Sequence, residues 1–391
     1  MGNQNTAQKS IERNCEQSQN ITSTYFESLK DMPVSLSKSQ CVLHKHEILI
    51  CGGWNKRECY SYHLLKDEYK FICKYPRDVI VAGHCIVKLV DNNNEDSNQI
   101  TLLSFGGYVR SKKHTLVMKY ISVWSNDSNG KEINKSKNSK KLKDSSDYNK
   151  WVPFTNNDNN PIIIGRNTDH YNGARAVIGG SNSHLLFITY HPWNISVFDL
   201  NTFQFIKHND LPAKNEIWYH CFVSKSAKKN EENKSKRNKN DEEMLLFCEQ
   251  TGLSIRYDED NNTFQFYQLP VCDDITAFRQ YAYVCTNDSI LLFGGYGWKN
   301  GECAVSTAAH KYFIQERRWI TFNNAFSIPL HNCVGLLNED NNNIHVIGGN
   351  NNSNIAVAVH IKTKTSVWID SSQLVVFILI FQNYLILFFF L

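Results

Sequence analysis

The chain has 391 residues, 41% of them hydrophobic and 20% charged, with a formal net charge of +4. That length suffices for one large all-β domain or two ordinary ones. The small charge, with much of its lysine excess held in two polar tracts, argues against a general nucleic-acid binder.

Residues 1–24 read as a polar tail with no apolar signal region. "MGNQNT" fits the myristoylation pattern at Gly2, but chance is the preferred account of so short a pattern. "YFESL" (25–29) reads as the end of a unit whose beginning lies elsewhere. The first full unit pairs a short strand, "SQCVL" (39–43), with a continuous apolar run, "EILICGGW" (47–54), closed by Gly52 and Gly53. Tyr62 and Tyr69 follow, seven residues apart. The second unit repeats this with "GHCIVKL" (83–89) and "TLLSFGGY" (101–108), closed by Gly106 and Gly107. A lysine-rich tract (125–149) lacks apolar residues able to form a core and reads as a disordered insert. The third unit holds "ARAVI" (174–178), "HLLFITYH" (184–191) and "FDLNTFQF" (198–205). The fourth holds "YHCFV" (219–223), a second disordered insert (225–243), "MLLFCEQTG" (244–252) and "YDEDNNTFQF" (257–266). Neither has the glycine pair. The fifth, "YAYVC" (281–285) and "ILLFGGYGW" (290–298), restores it with Gly294 and Gly295, and Tyr312 and Trp319 keep the seven-residue offset. The sixth, "HNCVGLL" (331–337) and "IHVIGGN" (344–350), ends on Gly348 and Gly349. Gly52 to Gly106 and Gly294 to Gly348 are both 54 residues, and a period of about 50 is that of a propeller blade.

An apolar strand, Gly-Gly, a Tyr and an aromatic seven residues on resemble the kelch repeat. The resemblance covers most of the chain (25–370) and implies an all-β fold: a six-bladed kelch-type β-propeller with four short antiparallel strands per blade. Runs such as "ILLF", apolar on both faces, suit strands sandwiched between blades. The family's usual closure, an N-terminal strand joining the last blade, falls to 25–29.

The glycines do not read as a phosphate loop. Neither G-x-x-x-x-G-K-[ST] nor G-x-G-x-x-G opens a helix, because more strand follows. His44 and His46 of "HKH" share a strand face but fall where a turn belongs and lack a third ligand. His84 and His220 each precede a cysteine at equivalent repeat positions, which indicates packing rather than a single nucleophilic site. Twelve cysteines, most inside apolar runs and none in a C-x-x-C pair, read as free core residues in a reducing, cytoplasmic compartment. No catalytic residue, cofactor or metal is assigned.

The resemblance implies a binding rim formed by the loops after each Gly-Gly. Carried onto this chain, those loops hold Trp54, Asn55, Tyr108, Arg110, Tyr296, Trp298 and Asn350, with Tyr190, Trp193 and Gln250 in similar places. Trp, Tyr and Arg dominate interface hot spots. For Trp193, packing is the preferred role. The expected function is a monomeric protein-interaction scaffold with a protein partner and no nucleic acid. The alternatives are a kelch-type enzyme, sugar-modifying or oxidase, at the channel mouth, and a membrane adaptor anchored by its tail. That tail, from Leu374 to Leu391, would form a helix of roughly 27 Å against a core of ~30 Å. Gln382 and Asn383 interrupt it, and text carried past the true coding end is the preferred reading.

Overall fold

The computed structural model describes residues 15–17, 25–90, 99–107, 113–125, 148–225 and 241–369. Tyr108 and Arg110, Gly2, most of both polar tracts and the apolar tail lie outside these. The described chain is all-β and of propeller type. It contains six antiparallel meanders, the fifth interrupted by an added hairpin and the sixth completed by a strand from the N-terminal side.

The first sheet runs Gln40–His44, Glu47–Gly53, Lys56–His63 and Glu68–Lys74. The second runs His84–Leu89, Gln99–Gly106, His114–Ile121 and Val152–Pro153. The third (His170–Gly179 to Gln204–Asp210) and the fourth (Cys221–Ser224 to Thr263–Gln268) keep the same order. The fifth contains Ala282–Cys285, Ser289–Phe293, Ala309–Phe313 and Arg318–Phe322, with Cys15–Gln17 added in parallel at its edge. The sixth contains Val334–Asn338, Asn343–Ile347 and His360–Lys364, and its fourth strand is Glu27–Ser28 from the N-terminal side. The segment 25–29 thus pairs with the sixth sheet.

Side chains alternate across a strand, and here both faces are covered. In the first sheet Ile48 and Ile50 pack toward the sixth sheet, with Ile347, while Leu49 and Cys51 pack toward the second, with Leu102 and Met118. Leu103 and Phe105 then meet the third sheet, and Phe187 meets the fourth. Phe247 meets the fifth, and Phe293 meets the sixth. Six hydrophobic clusters thus join each sheet to the next and the sixth to the first.

The seven-residue aromatic offset is hairpin geometry. Tyr62 and Tyr69, Phe198 and Phe205, Tyr257 and Phe264, and Tyr312 and Trp319 are directly opposed across neighbouring strands. Their ring centroids lie 4.8, 5.1, 4.9 and 4.9 Å apart. Such aromatic pairs each add roughly 0.5–1.5 kcal/mol beyond their buried area. Five residues after each first ring, Asp67, Phe203, Asn262 and Arg317 adopt left-handed backbone to turn the chain.

Three features depart from the sequence reading. Glu243 belongs to the strand Asp241–Cys248 and ion-pairs with Lys225 at 3.1 Å, so ordered sheet reaches into the tract expected to be an insert. Cys272 is disulfide-bonded, although ten other cysteines among the described residues are free. It sits on the connection after the fourth sheet rather than in an apolar strand. Tyr296 and Trp298 lie in a strand, Tyr296–Lys299, of a small extra sheet with Phe278–Arg279 and Glu302–Val305, not in a simple loop. Among the described residues no helix is long and apolar enough to cross a membrane.

Gly294 explains the glycine pair. Its φ is +67°, and a Cβ there would overlap the carbonyl oxygen of Leu330, on the segment entering the next sheet. Gly301, at φ +84°, has nothing within 4 Å. Gly294→Ala should therefore cost several kcal/mol, against roughly 1–2 kcal/mol of backbone strain for Gly301→Ala. Urea denaturation of both variants checks this, and equal losses would contradict the close-approach role.

Candidate functional site at the mouth of the sheets

Each sheet is entered through one residue in left-handed backbone: Lys38 (φ 55°), Gly83 (66°), Gly173 (76°), Tyr219 (47°), Gln280 (61°) and Asn332 (56°). Two residues later, Gln40, Cys85, Arg175, Cys221, Ala282 and Val334 occupy one register position. They pair with Cys51, Phe105, Thr189, Phe247, Phe293 and Ile347, each of which immediately precedes Gly-Gly or its replacement. The entry residues are tied to one another by backbone hydrogen bonds. The N–H of Gly173 donates to Gly83 (2.8 Å), Tyr219 to Gly173 (2.9 Å), Asn332 to Gln280 (2.7 Å) and Lys38 to Asn332 (3.0 Å). The last link runs from the first sheet to the sixth. Entry residues and Gly-Gly turns therefore share one mouth.

Across this mouth the Lys38 ammonium lies 4.6 Å from the Trp54 ring centroid and 4.8 Å from that of Tyr219. The Arg175 guanidinium lies 5.7 Å from Tyr219 and 5.9 Å from Tyr283. Tyr219 is held by a 2.6 Å hydrogen bond from its hydroxyl to Asn172. Arg279 pairs with Glu249 at 3.5 Å and stands over Trp218. Tyr296 stacks near His331, with centroids 5.1 Å apart, and His331 bridges through its backbone to Asn350. Burial lowers the Lys38 pKa and pulls that of His331 down to about 4.

The expected rim residues divide. Trp54 is 41% exposed and Trp298 64%, while Asn55 and Gln250 are exposed in turns. Tyr296 is half-buried and Asn350 is buried, with its amide donating to Asn354 at 2.7 Å. Tyr190 is only 2% exposed. It fills the first-glycine position of the third sheet, accepts a hydrogen bond from Arg166 and bonds Ser196, so it is core. Trp193, expected to pack, is 43% exposed. The turn after His191 displaces the outward position by a residue relative to Trp54. Tyr312 and Trp319 are buried between sheets.

Lys38, Arg175, Tyr219 and Asn332 were not singled out from the sequence. A usable signal was present: Arg175 is the one charged residue at a register position otherwise Gln, Cys, Ala or Val. Among the described residues no group of three or more His, Cys, Asp or Glu could hold a metal. His44 ends a strand and is buried, while His46 is exposed within the turn that follows. Burial keeps the imidazole of His84 neutral, with a pKa near 3, and pushes Cys85 up to about 11. His220 is also neutral, bonded to Thr189 at 2.6 Å.

No family model and no curated protein matches the chain. Among solved structures it is similar to one titled "Structure of YjhT", at a TM-score of 0.55 and 13% identity, over 86% of this chain and 97% of that one. At that identity the likeness concerns the fold alone, and it agrees with a propeller-type architecture.

The buried histidines set a pH dependence. Burial holds His84 and His360 near pKa 3 and His114 and His310 near 4, whereas unfolded histidine titrates near 6.5. Below about pH 6.5 the unfolded chain binds more protons, so this stability is present above that pH and is lost as pH falls toward 4. The slope approaches about 1.4 kcal/mol per pH unit for each histidine. The urea midpoint should fall across this window, and a flat midpoint would contradict the buried neutral state.

Proposed function

We propose that the chain is a six-bladed kelch-type β-propeller serving as a protein-interaction scaffold, with a partner protein docking at the mouth described above. The six meanders, the six inter-sheet clusters and the repeated register support the blade count. The glycine pairs and opposed aromatics support the kelch type. The observation that carries the function is the exposure of Trp54, Trp193 and Trp298 in or after the turns of three different sheets. Large aromatics held open at a rim, where burial would be the easier arrangement, suit interface anchors. The sixth blade takes its outer strand from the N-terminal side, which joins both sides of one chain in the same blade and favours a monomeric propeller. Ten free cysteines among the described residues, against the one disulfide-bonded Cys272, favour a cytoplasmic setting.

The test is partner capture by the full chain, read by mass spectrometry, beside the Trp54→Ala/Trp298→Ala variant. Capture of the specific partner should drop by about tenfold or more, as hot-spot truncation does, while the melting temperature stays within a few degrees of wild type. Undiminished capture by a folded variant would sink the proposed rim.

A further inference from the structure

We propose that Lys38 and Arg175 form an anion site at the centre of this mouth that receives carboxylate side chains from an acidic segment of the partner protein. This rests on the scaffold reading and names the chemistry of the docking segment. The two cations come from different sheets yet meet one ring, that of Tyr219, at 4.8 and 5.7 Å. Neither is ion-paired to a carboxylate among the described residues, whereas the neighbouring Arg279 has Glu249. The side-chain hydrogen bond of Arg175 goes to the Ala174 carbonyl, at 3.1 Å. That uses one of five guanidinium donors.

Partly burying two positive charges without a counter-charge is unfavourable. Contacts with aromatic faces offset only about 0.5–2 kcal/mol each. A carboxylate would supply the missing charge and accept the remaining donors, which the fork of Arg can present in pairs.

Nor does the fold require either charge. At the position of Lys38 the other sheets have Gly83, Gly173, Tyr219, Gln280 and Asn332. At the position of Arg175 they have Gln40, Cys85, Cys221, Ala282 and Val334. Two charges rather than one, with the exposed ring of Trp54 against Lys38, fit a peptide segment better than a single small anion.

The register also supplies the test variants. Lys38→Gln and Arg175→Gln install residues the repeat already carries at these positions, at Gln280 and Gln40, so both should fold. A short fluorescein-labelled Glu-rich peptide is titrated with the full chain by fluorescence anisotropy. Its Gln counterpart is the control, and glutarate is the small-carboxylate competitor. The Glu peptide should bind more weakly as salt rises. The Gln peptide and each single variant should weaken binding about tenfold, and glutarate should compete only at far higher concentration. Equal binding of the Glu peptide to folded Lys38→Gln and Arg175→Gln variants would overturn the site. Glutarate binding as tightly as the peptide would overturn the assignment to a protein segment. If the Glu peptide fails to bind while the tryptophan variant still loses its partner, the anion site falls and the scaffold reading stands. If peptide binding depends on Arg175 while partner capture ignores the tryptophans, the anion site survives and the proposed rim falls.

Discussion

The second strand of each sheet is covered on both faces, and the remaining architecture depends on that. Ile48 and Ile50 turn toward the sixth sheet while Leu49 and Cys51 turn toward the second. Water is acceptable on neither face. Burying a side chain of this size is worth roughly 1.5–3 kcal/mol, so an uncovered sheet face would leave several such residues exposed at once. Each sheet therefore needs a neighbour on both sides, and the sixth must meet the first. The Glu27–Ser28 strand on His360–Lys364 serves the same end, because it ties the N-terminal side of the chain to the last sheet.

Close stacking of sheets fixes the mouth. Where the second strand ends, the segment entering the next sheet passes directly over it, and at Gly294 no Cβ fits beneath Leu330. The entry residues must turn sharply, and their left-handed backbone lets N–H groups reach the carbonyl of the previous entry residue. Side chains at these points can neither retreat into the packed interior nor spread far apart. Lys38 and Arg175 consequently share the ring of Tyr219, and Trp54 stands against Lys38. The same stacking that stabilises the fold concentrates charge and aromatic surface at one end.

Much of this was legible in the sequence. Continuous apolar runs ending in Gly-Gly, and rings seven residues apart, report burial on both faces and hairpin register, which are local properties repeated several times. The site was harder to read. Tyr190 and Trp193 are three residues apart in similar text, but one points into the core and the other outward, and only the turn geometry after His191 decides which. Tyr296 and Trp298 lie in an added hairpin whose third strand, Phe278–Arg279, comes from an earlier segment. The meeting of Lys38 with Tyr219 depends on residues 181 positions apart and is set by the stacking of the whole ring of sheets.

The central claim is that recognition occurs at the mouth formed by the entry residues and Gly-Gly turns, and not at the opposite ends of the sheets. Backbone hydrogen exchange of the complex with its captured partner, compared with the free chain, tests it most directly. The account predicts new protection around Lys38, Trp54–Asn55, Arg175 and Tyr296–Lys299. Protection confined to the far hairpin turns at Asp67, Asn262 and Arg317, with the mouth exchanging as before, would contradict it.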